Sequence, residues 1–305
     1  MATVHGNVLR MGSTGDQWHY HRKERLYDLT RGRSDPDTDS STATALTIRT
    51  TAGLSDTHIN IAPSRTALVL VDMQNFFLHR RCRDHPTGRA AVAPTVAAIQ
   101  NCRRAGIRIV WLNWGLTDKD LAAMPASIMS GFSRRMMLGE DVDKDPVRSG
   151  LGVDPGDGTG PWLVKGAWNS NVYEGEDNES GSTPSLAAEV RPDLGDVLCD
   201  KTRMSGMWSE DEPLRRYLTT NPDGKSIRTL LFAGVNTDQC VLGTLTDAYN
   251  AGWDCVAVAD CCATTTPGGQ EVTMLNVANN LGFVIDSKAL EDGVDAYCEA
   301  TRSGA

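Results

Sequence analysis

The stretch TLLFAGVNTDQCVLGTLTDAYNA, residues 229–251, constrains the fold more than any other part of the chain. An apolar run breaks at Gly234 and a helical pattern takes over, with Cys240 in its first turn. This pattern predicts a strand, a tight turn and a helix N-terminus. Such a terminus carries about half a positive charge and several unpaired backbone N–H groups, so it lowers a cysteine pKa and holds an oxyanion. Cys240 is therefore a candidate nucleophile, set against the common role of a free cysteine as a small buried hydrophobe.

The same alternation runs through most of the chain. TALVLV, residues 66–71, is a continuous run of the kind found in strands buried on both faces of a parallel sheet, and it ends in Asp72. Residues 90–105 are alanine-rich and helical, with Pro94 in the first turn and Gly106 as the stop. IRIVWL, residues 107–112, is the second strand, followed by Asn113 and Trp114. These pieces form a strand, helix, strand unit with a right-handed crossover. WLVKGAWN, residues 162–169, reads as a short strand entering a loop, and residues 196–200 as a strand ending at Lys201. Further helices are expected at 212–219, 237–251, 270–281 and 287–301. The remaining strands are expected at 229–233, at 253–259 with Asp260 as the stop, and at 283–285 on an edge. Strands alternating with helices, without hairpin signals, predict an α/β domain: a doubly wound, mainly parallel sheet with helices on both faces, a three-layer sandwich.

Two regions fall outside that pattern. Between residues 115 and 160 periodicity is weak, with methionines at Met124, Met129, Met136 and Met137, as expected of excursions over a site rim. Residues 1–60 are polar, and DPDTDSSTATALT has neither helical nor strand periodicity. They are expected to be an extension that drapes over the body or mediates assembly, ahead of a domain at 61–305.

Composition excludes several classes of function. A net charge of -9 and a pI near 5.2 argue against nucleic acid or an anionic membrane as the partner, since both need clustered positive charge. The N-terminus lacks the apolar core of a signal peptide, and no window approaches about 18 consecutive apolar residues, so a cytoplasmic protein is expected. The eight cysteines form no CxxC pair, so neither a zinc site nor a disulfide framework is expected. All six histidines precede Pro86, and a Cys–His dyad would have to recruit His79 or His85. The base is better sought elsewhere.

Asp72, Lys201 and Cys240 each fall at or just beyond the C-terminal end of an expected parallel strand, where open α/β sheets form their ligand crevice. A lysine ammonium favours thiolate, and a carboxylate takes the thiol proton and returns it to a leaving amine. At these residues the sequence resembles the isochorismatase-like cysteine hydrolase family, through ALVLVDMQNFF, GDVLCDKTRMSG and FAGVNTDQCVLGTLTDAYNAGWDCVAVADCC. The resemblance implies a catalytic triad of Asp72, Lys201 and Cys240. It also implies a cis peptide joining Val235 to Asn236 and an oxyanion hole made by the backbone N–H groups of Asn236 and Cys240. Within the family, LVKGAWN ahead of GDVLCDKTR is most similar to the ureidoacrylate amidohydrolases, although Met204 stands where Tyr is usual and Met207 where Phe is frequent. The insertion at 174–185 also departs from the pattern.

The implied activity is cofactor-independent hydrolysis of a C–N bond in a small amide, ureido or carbamoyl substrate, through a covalent acyl or carbamoyl enzyme. Gln74, Asn75, Asn113, Trp114 and Trp168 are candidates to line the pocket. Nicotinamidases in the family carry an Asp and His metal site after the second strand. No histidine follows His85 here, so no metal is expected. The resemblance further implies a homo-oligomer, a dimer or tetramer, in which a neighbour closes the pocket. Two other functions stay open: isochorismatase proper, which cleaves a vinyl ether with the Asp as general acid, and a catalytically silent binding protein on this fold.

Overall fold

The computed structural model describes residues 3–31, 45–134, 150–178, 181–220 and 226–303. Where the sequence predicts no elements, six short strands form: β1 (Thr3–His5), β2 (Val8–Ser13), β3 (Asp16–His21), β4 (Leu26–Asp28), β5 (Leu46–Arg49) and β6 (His58–Ile61). They pair in the order β1-β2-β3-β4-β6-β5, antiparallel except for β4 with β6. These strands are short, and β2 to β4 are only half-buried, so they leave little alternation to read. In β5 and β6 the buried residues are Leu46, Ile48, Ile59 and Ile61, with polar or charged side chains between them.

The main sheet follows, built from β7 (Thr66–Val71), β8 (Arg108–Trp114), β11 (Val197–Lys201), β12 (Thr229–Val235), β13 (Asp254–Ala263) and β14 (Phe283–Ile285). A small antiparallel hairpin within the expected insertion supplies β9 (Glu176–Asn178) and β10 (Gly181–Thr183). The main sheet runs β11-β8-β7-β12-β13-β14, all parallel, so β7 and β12 lie side by side at its centre. Alternate residues divide the core. Leu68, Leu70, Ile109, Trp111 and Leu231 pack with the helices Val92–Ala105 and Ser287–Ser303. Val69, Val71, Val110, Leu112 and Phe232 pack on the other side with Pro213–Thr220 and Leu242–Asn250. This is the doubly wound α/β sandwich expected from the alternation.

The N-terminal sheet belongs to the first of these cores through Leu46, Ile48, Ile59 and Ile61. A Cβ on Gly293 would come within 2.6 Å of the Thr47 carbonyl oxygen, so only glycine lets the β5 backbone lie directly on the C-terminal helix. Thr51 N–H donates to Val284 O at 2.8 Å and partly covers the free edge of β14.

Three local expectations need correcting. WLVKGAWN is not a strand: Leu163 has φ 60° and Gly166 φ 87°, which turn the chain, and only Val164 bridges to Leu116. β13 does not stop at Asp260. That side chain points to solvent and accepts from Ser287 N–H, while a bulge in β13 itself, between Ala257 and Cys262, lets pairing with β12 resume at Gly234↔Cys262. The helix expected at 237–251 divides into a wide turn, Thr237–Val241, and a regular helix, Leu242–Asn250. Met136 and Met137 lie outside the described residues. Among the described residues no helix is long and apolar enough to cross a membrane.

Candidate active site

Asp72 follows β7 with φ 54°, a left-handed conformation that Asp tolerates better than most residues. Its N–H donates to Leu112 O at the end of β8. Lys201, the last residue of β11, reaches across β8 so that Nζ lies 3.0 Å from Asp72 Oδ2, with both side chains fully buried. The ammonium also donates to Arg203 O at 3.0 Å and sits 4.0 Å from the centroid of the Trp114 ring. Cys240 occupies the wide turn after β12 and is 6% exposed. Its thiol feels the charges of both Lys201 and the Asp72 carboxylate, which act on it in opposite directions. The structure therefore brings the three sequence candidates together.

The electrostatics differ from the sequence expectation. Burial pushes the Cys240 thiol up to about 12, opposed but not overcome by Lys201, so the helix terminus does not make a resting thiolate. Burial likewise raises Asp72 above the usual carboxylate range, with the Lys201 charge pulling the other way. The sulfur therefore keeps its proton until something approaches it, and the carboxylate that would take that proton is already in place.

The Val235–Asn236 peptide is cis. Asn236 Oδ1 lies 2.7 Å from His85 Nε2, and His85 Nδ1 accepts from Gly88 N–H at 2.8 Å. Because Nδ1 is an acceptor, the ring proton sits on Nε2 and points at Asn236. Burial lowers the His85 pKa and so favours this neutral form. His85 is thus joined to Asn236, a role that sequence spacing did not reveal; the one available signal was a histidine placed immediately before Pro86. His79 instead stacks edge-on to Trp168, 4.9 Å between centroids. Thr237 Oγ1 donates to Gln270, and Thr264 Oγ1 donates to Asp238 Oδ1 at 2.6 Å, bracing the turn from the β13 side.

The five candidate pocket residues separate into two groups. Gln74 is fully buried, with Nε2 donating to Trp114 O and Ser170 O, and Oε1 accepting from Trp114 N–H. Asn75, also fully buried, donates to Trp168 O and accepts from Glu174 N–H. Both amides therefore brace backbone instead of facing a pocket. Asn113 and Trp114 line a cavity of about 390 Å³ together with Asn171 and Glu174, and Asn113 Oδ1 is buried there without a partner among the described residues. Trp168 stands apart from that cavity, its ring beneath the Arg81 guanidinium and its Nε1–H donating to Glu174. Met207 is packed in the core and Met204 is half-exposed. Among the described residues no three His, Cys, Asp or Glu side chains gather closely enough to hold a metal ion.

A parallel sheet with a buried acid, lysine and thiol gathered at the carboxyl ends of its strands defines an α/β protein of the isochorismatase-like hydrolase fold. The isochorismatase domain profile matches residues 66–289, and the chain belongs to the isochorismatase family. Solved structures share the fold at low identity. A cysteine hydrolase from Pseudomonas syringae pv. phaseolicola 1448A is 17% identical, with a TM-score of 0.52 over 82% of this chain and 98% of that one. An isochorismatase family protein from Desulfovibrio vulgaris is 19% identical, with a TM-score of 0.51 over 76% and 98%. A pyrazinamidase/nicotinamidase from Streptococcus mutans UA159 is 18% identical, with a TM-score of 0.51 over 72% and 99%.

Proposed function

We propose that the protein hydrolyses a carbon–nitrogen bond in a small amide, ureido or carbamoyl compound, with Cys240 as nucleophile. The observation that carries this reading is the fully buried Asp72–Lys201 pair, 3.0 Å apart and beside the Cys240 thiol. A base, a cation and a nucleophile meet at the carboxyl ends of the strands without a histidine among them. As the sulfur attacks the carbonyl carbon, its proton passes to Asp72, and Lys201 offsets the charge left behind. The carbonyl oxygen becomes an oxyanion that accepts from the N–H groups of Asn236 and Cys240. Asp72 then protonates the departing nitrogen, the C–N bond breaks, and an acyl or carbamoyl thioester remains. Water attacks the thioester as Asp72 takes its proton, releasing the acid and restoring the thiol. The narrower ureido reading rests on the LVKGAWN segment, residues 163–169, placed ahead of GDVLCDKTR.

One observation favours a second reading. A carboxyl raised by burial is suited to acting as a general acid, as vinyl ether cleavage requires. Release of ammonia or amine from a panel of ureido acids, carbamoyl compounds and simple amides, assayed beside isochorismate, separates the two. We expect turnover on one C–N class, falling by roughly 10³-fold or more in Cys240→Ser. Turnover confined to isochorismate and retained in Cys240→Ser would replace the amidase reading with the second one.

A further inference from the structure

Trp114 meets two polar members of the site. Its ring face carries the Lys201 ammonium at 4.0 Å, and its indole N–H lies toward the Cys240 sulfur. The side chain is held firmly: it is 1% exposed, its backbone is clamped on both sides by Gln74, and Phe132 packs edge-on at 5.3 Å. Yet Nε1–H is buried without a hydrogen-bond partner among the described residues. A neutral thiol is a poor acceptor and a thiolate a strong one. A rigid donor left unpaired beside a protonated sulfur is therefore matched to the charged form of that sulfur.

We propose that Trp114 is a positioning residue for the charge on this site: its ring face holds the Lys201 ammonium against Asp72, and its indole N–H receives the negative charge on sulfur as the Cys240 proton moves to Asp72. The proposal rests on the reading of Cys240 as nucleophile. It differs from a substrate-lining role, in which the indole would contact the substrate and leave the sulfur alone.

The test compares wild type with two variants in the free protein, reading iodoacetamide alkylation at the Cys240 peptide by mass spectrometry from pH 7 to 9. Site-specific replacement of Trp114 by 3-benzothienylalanine exchanges the indole N–H for sulfur at nearly unchanged shape. Trp114→Phe also removes the N–H but keeps a ring face for Lys201. Loss of one hydrogen bond to a charged group should slow alkylation about tenfold in both variants. The Phe variant opens space beside the sulfur, which by itself speeds alkylation, so slowing there is the more telling result. Alkylation unchanged or faster in the benzothienyl protein overturns the proposal. On a substrate found by the panel, kcat should fall with KM unchanged, whereas a rise in KM alone indicates a lining role and also overturns it. If wild type turns over no amide, the amidase reading fails, while the alkylation comparison still decides the role of Trp114.

Discussion

At the scale of single residues, the site holds groups whose protonation burial has shifted. In the proposed mechanism Asp72 is ionised to accept the thiol proton, and its pKa is raised, so kcat/KM should fall as pH drops through a value above the ordinary 3.8 of an Asp carboxyl. A pH–rate profile of the free enzyme checks this, and an acid limb at or below 3.8 contradicts it. Asp72, Lys201 and Cys240 were legible because each ends or follows an apolar run, and strand ends can be read from local sequence. Gln74 and Asn75 occupy equally suggestive positions, but their amides are taken up by Ser170, Trp168 and Glu174, about a hundred residues along the chain. No local pattern reports which distant backbone will arrive beside a side chain.

At the scale of elements, the turn after β12 depends on how closely β7 and β12 approach. Gly234 has φ 129°, and a Cβ there would collide with the carbonyl oxygen of Val71, its register partner. We expect Gly234→Ala to cost about 3 kcal/mol or more in urea unfolding, through combined collision and backbone strain. A loss below about 1 kcal/mol would show that the strands separate easily. The break in the apolar run at Gly234 was visible in the sequence and marked the turn correctly. The length of β13 was not, because a charged residue in a strand looks like a terminator until its side chain is found on the open side, bonded to Ser287.

At the scale of the whole molecule, residues 3–31 and 45–61 join the main sheet at the end opposite the site. Arg31 lies with its guanidinium 2.5 Å and 2.8 Å from the two carboxylate oxygens of Asp254 at the start of β13, and Trp18 and Thr229 donate to the same carboxylate. Burial raises the Asp254 pKa while Arg31 opposes it. Arg31→Ala leaves a buried carboxylate without its cation and should cost about 3–5 kcal/mol at pH 7 by urea unfolding. Without Arg31 the folded pKa of Asp254 rises further above its unfolded value. The deficit should then shrink as pH falls through that folded pKa and vanish below about 3.8. A loss under about 1 kcal/mol, or one independent of pH, would mean that the pair does not fasten the N-terminal sheet. The sequence alone determined the alternation of strands and helices, the central apolar strands and the three residues at their ends, because each follows from periodicity over a handful of neighbours. Only the tertiary structure decided that the polar N-terminal residues form a sheet, that His85 belongs to Asn236, that Trp114 meets the lysine and the thiol, and that Cys240 keeps its proton. Each of these depends on which distant groups exclude water from a side chain, and that is settled only when the chain has closed around it.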